Sequence, residues 1–160
     1  MLQGRCVQAD IERVVGSGAQ LVPDESEARF DVLPLLVATD GAITAFGYDG
    51  RRLRPNLVIG GVEGLDEQTW QSRWVRIGEV LIKLADLRGR CVMTTFDPDT
   101  QVQDRRVLTS IVQRFAGKLA LNAEVIRGGT IRRGETVELL SDEACRDAQL
   151  TLSRPSVSSM

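Results

Sequence analysis

The chain of 160 residues contains no histidine. That absence removes the Ser-His-Asp and Cys-His forms of nucleophilic catalysis, the histidine general base and the commonest nitrogen ligand for metals. Lysine is scarce as well, with only Lys83 and Lys118. Basic charge therefore falls to arginine, whose planar fork suits phosphate and carboxylate. Aromatics make up 4%, so Val, Leu and Ile must fill the core. No run approaches the ~18 consecutive apolar residues of a membrane-spanning helix. The N-terminal stretch, interrupted by Asp10 and Glu12, does not read as a signal peptide. Three cysteines, Cys6, Cys91 and Cys145, cannot all pair within one chain and match no zinc spacing.

What is present describes a single globular domain, 42% hydrophobic and 26% charged. The net charge of −2 gives no general attraction to nucleic acid or to an anionic membrane, and neither is expected as a partner. Free thiols point to a reducing cytoplasm.

Local patterns supply the elements. Cys6 to Val15 suits a strand or a short helix, broken by Gly16-Ser17-Gly18. Pro23 to Ala28 is acidic and reads as a loop. Phe30 to Ala38, with Pro34 inside it, reads as a strand or two strand pieces, and Ala42 to Phe46 as a short helix. Leu53 to Ile59 is a strand candidate carrying Arg54-Pro55-Asn56. Leu65 to Trp70 reads as irregular or one helical turn. Trp74 to Ile77 and Val80 to Leu84 flank Gly78 as a hairpin. Val92 to Phe96 is a further strand candidate. Val107 to Phe115 places Leu108, Ile111, Val112 and Phe115 on one helical face. Leu119 to Ile126 and Thr136 to Leu140 close the set of strands, and Ser153 to Met160 reads as a polar tail. About six or seven short strands with one or two helices predict a mostly β barrel or a compact α+β domain.

The reactive candidate is Cys91, in Arg90-Cys91-Val92-Met93-Thr94-Thr95-Phe96-Asp97-Pro98-Asp99-Thr100. A thiolate is a good nucleophile and a soft metal ligand. Arg90 can favour the thiolate only if a turn at Gly89-Arg90 brings both to one side, since neighbours in a strand point to opposite faces. The competing reading is a buried structural cysteine. Thr94, Thr95, Asp97, Asp99 and Thr100 read as turn chemistry in preference to a cation site, because two aspartates are too few ligands. Arg54 and Asn56 can hold a phosphate and a ring edge, or can mark a barrel rim where an arginine meets a local carboxylate. Trp70 and Trp74 suit packing under a loop more than stacking on a ligand.

Taken in order, Arg54-Pro55-Asn56-Leu57-Val58-Ile59, Arg76-Ile77-Gly78, Gly89 to Thr100, and Gly129-Thr130-Ile131-Arg132-Arg133-Gly134-Glu135 resemble a MOSC domain, named after the C-terminal domain of molybdenum cofactor sulfurase. The resemblance implies a mainly β, barrel-like α+β fold over 30–141, preceded by an N-terminal segment, 1–29, and followed by a tail, 142–160. It implies a molybdenum-pterin cofactor, with Cys91 as metal ligand and catalytic group. Cofactor contacts are implied for Thr39, Arg54, Asn56, Gly89, Arg90 and Cys91. The reductase branch of the family implies reduction of N-oxygenated substrates. An external electron-transfer partner would then be needed, since the chain carries no flavin, haem or iron–sulfur motif. The sulfurase branch implies a sulfur carrier with a persulfide on Cys91, fed by a cysteine desulfurase that itself holds the pyridoxal phosphate. A third possibility is a non-enzymatic β-barrel binding module with an unreactive Cys91. The Pro-Val-Lys-Ser type motif that grips the cofactor phosphate in larger relatives is not found before Phe30, and no second cysteine stands in Leu87 to Gly89.

Overall fold

The computed structural model describes residues 12–18, 32–141 and 143–146. Expectations for Cys6, for Pro23 to Ala28, for Phe30 and for residues 153–160 lie outside the described residues, and of the first segment only 12–15 are seen, as helix.

Six strands form one sheet in the order β2-β1-β5-β4-β3-β6. They are β1 (Leu35–Thr39), β2 (Leu57–Ile59), β3 (Trp74–Ile77), β4 (Val80–Gly89), β5 (Lys118–Arg127) and β6 (Val137–Leu139). Only the β1–β2 pair is parallel, and every other neighbouring pair is antiparallel. The sheet curls into a nearly closed barrel, with β2 and β6 facing each other across a gap lined by Val58, Ile59, Val137 and Leu139. The mainly β, α+β reading is therefore correct.

Period-two burial builds the interior. Val80, Ile82 and Leu84 of β4 meet Val75 and Ile77 of β3, Val37 of β1 and Leu121 and Ala123 of β5. Gly78, at φ 56°, makes the tight β3–β4 turn without steric cost. Ala120 adopts φ 66°, where β5 gains a residue against β4 between the Leu87–Leu121 and Gly89–Lys118 pairs. This bulge re-aims the strand. Leu121 points into the barrel and Leu119 into a second cluster outside it.

That second cluster joins α1 (Asp40–Phe46) and α2 (Arg106–Phe115). Ala42 and Phe46 of α1 pack on Val107, Ile111 and Phe115 of α2, with Leu53 between them. The buried stripe of α2 is rotated from the sequence expectation. Val107 replaces Val112, which is 56% exposed, because the i, i+4, i+8 row faces α1. The Arg114 guanidinium donates to the carbonyls of Phe46 (3.1 Å) and Ala45, capping the end of α1.

Thr39 starts α1, its hydroxyl accepting from the Ala42 amide at 3.1 Å. The same hydroxyl donates to Glu67 Oε2 at 2.9 Å. Glu67 is fully buried, and Oε1 has no partner among the described residues. Burial raises its pKa, so the folded state favours the neutral acid. Stability is then full at acidic pH and is lost as pH rises through the ordinary carboxyl range towards the raised folded value. Glu67→Gln should leave the melting temperature unchanged near pH 4 and raise it by about 3 °C at pH 8, as read by thermal melts at the two values. Equal shifts at both would exclude the buried acid as the cause.

Two sequence expectations fail locally. Leu53 to Ile59 is not one strand: Gly50–Leu53 is a 3-10 turn, Arg54 is left-handed at φ 54°, ψ 48°, and pairing begins at Leu57. Val92 to Phe96 is not a strand either: Val92–Thr95 forms a 3-10 turn. Its hydroxyls explain it, with Thr94 donating to the Cys91 carbonyl (2.8 Å) and Thr95 to that of Val92 (2.6 Å). Local back-bonding of this kind competes with the extended chain.

Candidate functional site: an arginine-lined cleft at Cys91

Beyond the end of β4 the chain turns at Arg90 and enters the 3-10 turn with Cys91 as its first flanking residue, extended at φ −117°, ψ −178°. No side-chain bond holds the thiol in capping, and it is free and exposed. It opens on a cleft of about 360 Å³. Arg54, Asn56, Gly89, Arg90 and Cys91 all line that cleft, so two segments about 35 residues apart converge on one space. The binding-module reading expects a buried Cys91, and the thiol is instead open to solvent.

Thr39 does not join them. It is fully buried, and its hydroxyl is used by Ala42 and Glu67, so its observed work is to start α1. The structure also adds residues that the sequence reading missed. Arg52, Arg88, Met93, Thr94 and Asn122 line the cleft as well. Two of these carried a readable signal. Arg88 lies two residues before Arg90, the spacing that shares a strand face, and Asn122 is the lone polar residue within Leu119–Ala123. Arg52 carried none, because its acceptors, Thr95 and Asp97, lie more than 40 residues on.

Electrostatically the cleft is one-sided. Four arginines line it, and among the described residues no carboxylate does. Arg52 is committed to Asp97 Oδ2 (2.8 Å) and to the Thr95 carbonyl (3.0 Å). Arg88 donates to Asn122 Oδ1 at 3.3 Å, and Asn122 Nδ2 to Asp86 at 3.0 Å. Arg90 donates to the Leu53 carbonyl at 2.6 Å, while its Nε is buried with no partner among the described residues. Burial pushes the Arg90 guanidinium down to about 10, partly countered by the nearby Cys91 and reinforced by Arg88. The group remains a cation at neutral pH, and its burial makes it short of negative charge.

Arg54 is exposed and held in a left-handed conformation directly before Pro55. Both its β-carbon and the proline oppose that geometry, at a cost of about 1–3 kcal/mol. Strain of this kind persists only where the surroundings impose it. The 3-10 turn before it supplies one constraint, the Arg54 amide donating to Arg51 at 3.0 Å. Asn56 supplies the other: its amide donates to the Leu36 carbonyl (2.8 Å), and its Oδ1 accepts from the Leu36 amide (2.8 Å). The Asn56 carboxamide thus acts as an extra backbone link to β1, which leaves Nδ2 as its available donor. Gly89 lines the cleft where an added β-carbon would meet open space, so the wall is thin at that point.

The aspartate-threonine cluster proves to be turn chemistry. Asp97 Oδ1 accepts from the Asp99 and Thr100 amides (3.1 and 3.0 Å) and from the Thr100 hydroxyl (3.1 Å). Asp99 pairs with Arg51 at 2.6 Å. No metal-holding group of three acidic or cysteine side chains occurs among the described residues. Trp74 is buried with Leu81 and Leu140, Trp70 packs on the barrel core, and neither lines the cleft.

The MOSC domain family model matches residues 40–138. This chain belongs to the MOSC domain family. It is 35% identical over 82 residues to the human mitochondrial amidoxime reducing component 2, covering 48% of this chain and 24% of that protein. It is 32% identical over 132 residues to the mouse mitochondrial amidoxime-reducing component 1, covering 71% of this chain and 38% of that one. The chain therefore spans well under half the length of these relatives. The crystal structure of YiiM from Escherichia coli superposes with a TM-score of 0.50 at 17% identity, over 72% of this chain and 58% of that one, and shares the fold. Among the described residues no helix is long and apolar enough to cross a membrane.

Proposed function

We propose that the cleft binds a molybdenum-pterin cofactor, with the Cys91 thiolate as a ligand to the metal, and that the bound protein reduces N-oxygenated substrates. One observation carries this reading: a free, exposed thiol opens on a cleft lined by four arginines and no described carboxylate. A pterin cofactor brings a phosphate and an electron-poor metal. The donor set fits both, since guanidinium forks suit phosphate and thiolate suits a high-valent soft metal.

Each residue has a distinct task. Arg54 presents an exposed fork from a rigid left-handed turn. Arg90 adds a cation at the cleft wall whose Nε is buried with no partner among the described residues. Asn56 contributes its Nδ2 donor, and Gly89 leaves space beside Cys91 for a bulky group. Cys91 would hold the metal as a thiolate, a soft anionic donor. When bound, the cofactor would supply the redox-active metal, with electrons arriving from an external protein donor in the reducing cytoplasm. Metal analysis of protein purified from a cofactor-producing host should find about one molybdenum per chain. Protein that leaves such a host free of molybdenum would sink the proposal.

The exposure of Cys91 also favours a second reading, in which its thiolate accepts a sulfane sulfur from the persulfide of a pyridoxal-phosphate-dependent desulfurase. Mass spectrometry after incubation with desulfurase and cysteine should place the added sulfur on Cys91. Labelling confined to Cys6 or Cys145 would count against it.

A further inference from the structure

Two of the segments that line the cleft are joined by no strand pairing. One runs from Asp49 through the 3-10 turn to Asn56 and hooks onto β1 through Asn56. The other leaves β4 at Gly89 and runs through Cys91 to the Asp97 turn. Arginines make the cross-links between them. The Arg51–Asp99 pair is well exposed on both sides and contributes little in water. The Arg90–Leu53 bond is a single contact. Arg52 differs, with its side chain only 11% exposed. One arm of its fork donates to the Thr95 carbonyl at 3.0 Å and the other to Asp97 Oδ2 at 2.8 Å.

The acceptors are as specific as the donor. Asp97 uses its two oxygens separately, Oδ1 tying down its own turn at Asp99 and Thr100 and Oδ2 reaching Arg52. The Thr95 carbonyl, which also accepts from the Asp104 amide at 2.8 Å, ends the turn that begins at Cys91. Arg52 stands two residues before Arg54 and one after Arg51, so its fork fixes the root of the strained left-handed turn. Lysine cannot reproduce this, because a point charge on a flexible stem does not span two acceptors in a fixed plane.

We propose that Arg52 is the positioning residue of the cleft, holding the segment that carries Arg54 against the segment that carries Cys91 through the Thr95 carbonyl and the Asp97 carboxylate. The inference rests on Cys91 and Arg54 forming one reactive site, and it is independent of which metal or sulfur chemistry the site performs.

The test uses the metal-free full chain and reads the charge that Cys91 meets. Cys91 is alkylated with anionic iodoacetate and with neutral iodoacetamide, and mass spectrometry of its peptide gives the ratio of the two rates. Convergence of Arg54 and Arg90 on the thiol favours the anionic reagent. Arg52→Lys keeps the charge and removes the fork, and the ratio should fall about three-fold. Asp97→Asn removes a negative charge, which by electrostatics alone would raise the ratio. Positioning requires the opposite, a fall comparable to that of Arg52→Lys, with the circular dichroism spectrum retained.

A ratio in Asp97→Asn at or above the wild-type value overturns the proposal, as does an unchanged ratio in Arg52→Lys. Loss of the folded spectrum in both variants also overturns it, since Arg52 would then be a general stability element. Wild-type protein without molybdenum that still shows the two falls keeps this inference and loses the cofactor reading. Molybdenum-loaded protein without the falls does the reverse.

Discussion

Cys91→Ser protein from a cofactor-producing host should retain about a tenth or less of the wild-type molybdenum and unfold at the wild-type denaturant midpoint. The two halves of this expectation come from different parts of the structure. The Cys91 side chain is exposed and makes no capping bond. The Cys91 backbone, not its sulfur, holds the turn, its carbonyl accepting from the Thr94 amide (3.2 Å) and hydroxyl (2.8 Å). Serine is accommodated at such a site within about 0.5 kcal/mol. Replacing sulfur by oxygen nevertheless removes the soft anionic ligand, because a serine hydroxyl stays protonated at neutral pH and donates poorly to a high-valent metal. Inductively coupled plasma analysis with a urea titration of the same preparation measures both. Molybdenum retained equally by the variant would remove Cys91 from the metal's coordination. A lowered midpoint would mean that the sulfur packs, contrary to its exposure.

The sequence exposed the regular parts of the molecule where a single local rule decides. Gly78 between two apolar runs marks the β3–β4 hairpin, and the apolar run Leu119 to Ile126, ended by Gly128-Gly129, marks β5, because glycine turns and short apolar runs act over a few residues. The site segments were legible as residue types but not as shapes. Val92-Met93-Thr94-Thr95 has strand composition, yet two threonine hydroxyls turn back on Cys91 and Val92. Leu53 to Ile59 looks continuous, yet Arg54 reverses its backbone hand before Pro55. In both places a side chain or a tertiary contact overrides propensity, and both places border the cleft. Thr39 shows the converse. The family resemblance implied a cofactor contact for it, while the start of α1 and a buried Glu67, 28 residues away, claim its hydroxyl. The role of Arg52 was invisible for a related reason, since its acceptors lie more than 40 residues on.

Arg90→Met should move stability and anion binding in opposite directions. Arg90 is a largely buried cation whose Nε lacks a partner among the described residues, and burial lowers its pKa to about 10. A base held below its unfolded value costs stability in full at every pH below the folded value, which includes the whole neutral range. At neutral pH the penalty is on the order of 3 kcal/mol, and the bond to Leu53 offsets part of it. Methionine fills much of the same volume without a charge, and apolar replacement of a buried ion is commonly neutral or stabilising. The variant should therefore unfold at a denaturant concentration equal to or above wild type. Binding should suffer, because a charge-assisted bond inside a partly dry cleft is worth about 1.5–3 kcal/mol. Pyrophosphate, as a probe of the phosphate end of the cofactor, should bind the metal-free variant about ten-fold or more weakly by calorimetry. A variant that is less stable yet binds pyrophosphate as tightly as wild type would make Arg90 a structural strut between Leu53 and β4. If the two quantities separate as expected, the fold keeps a destabilising cation at this position because a ligand's negative charge completes it.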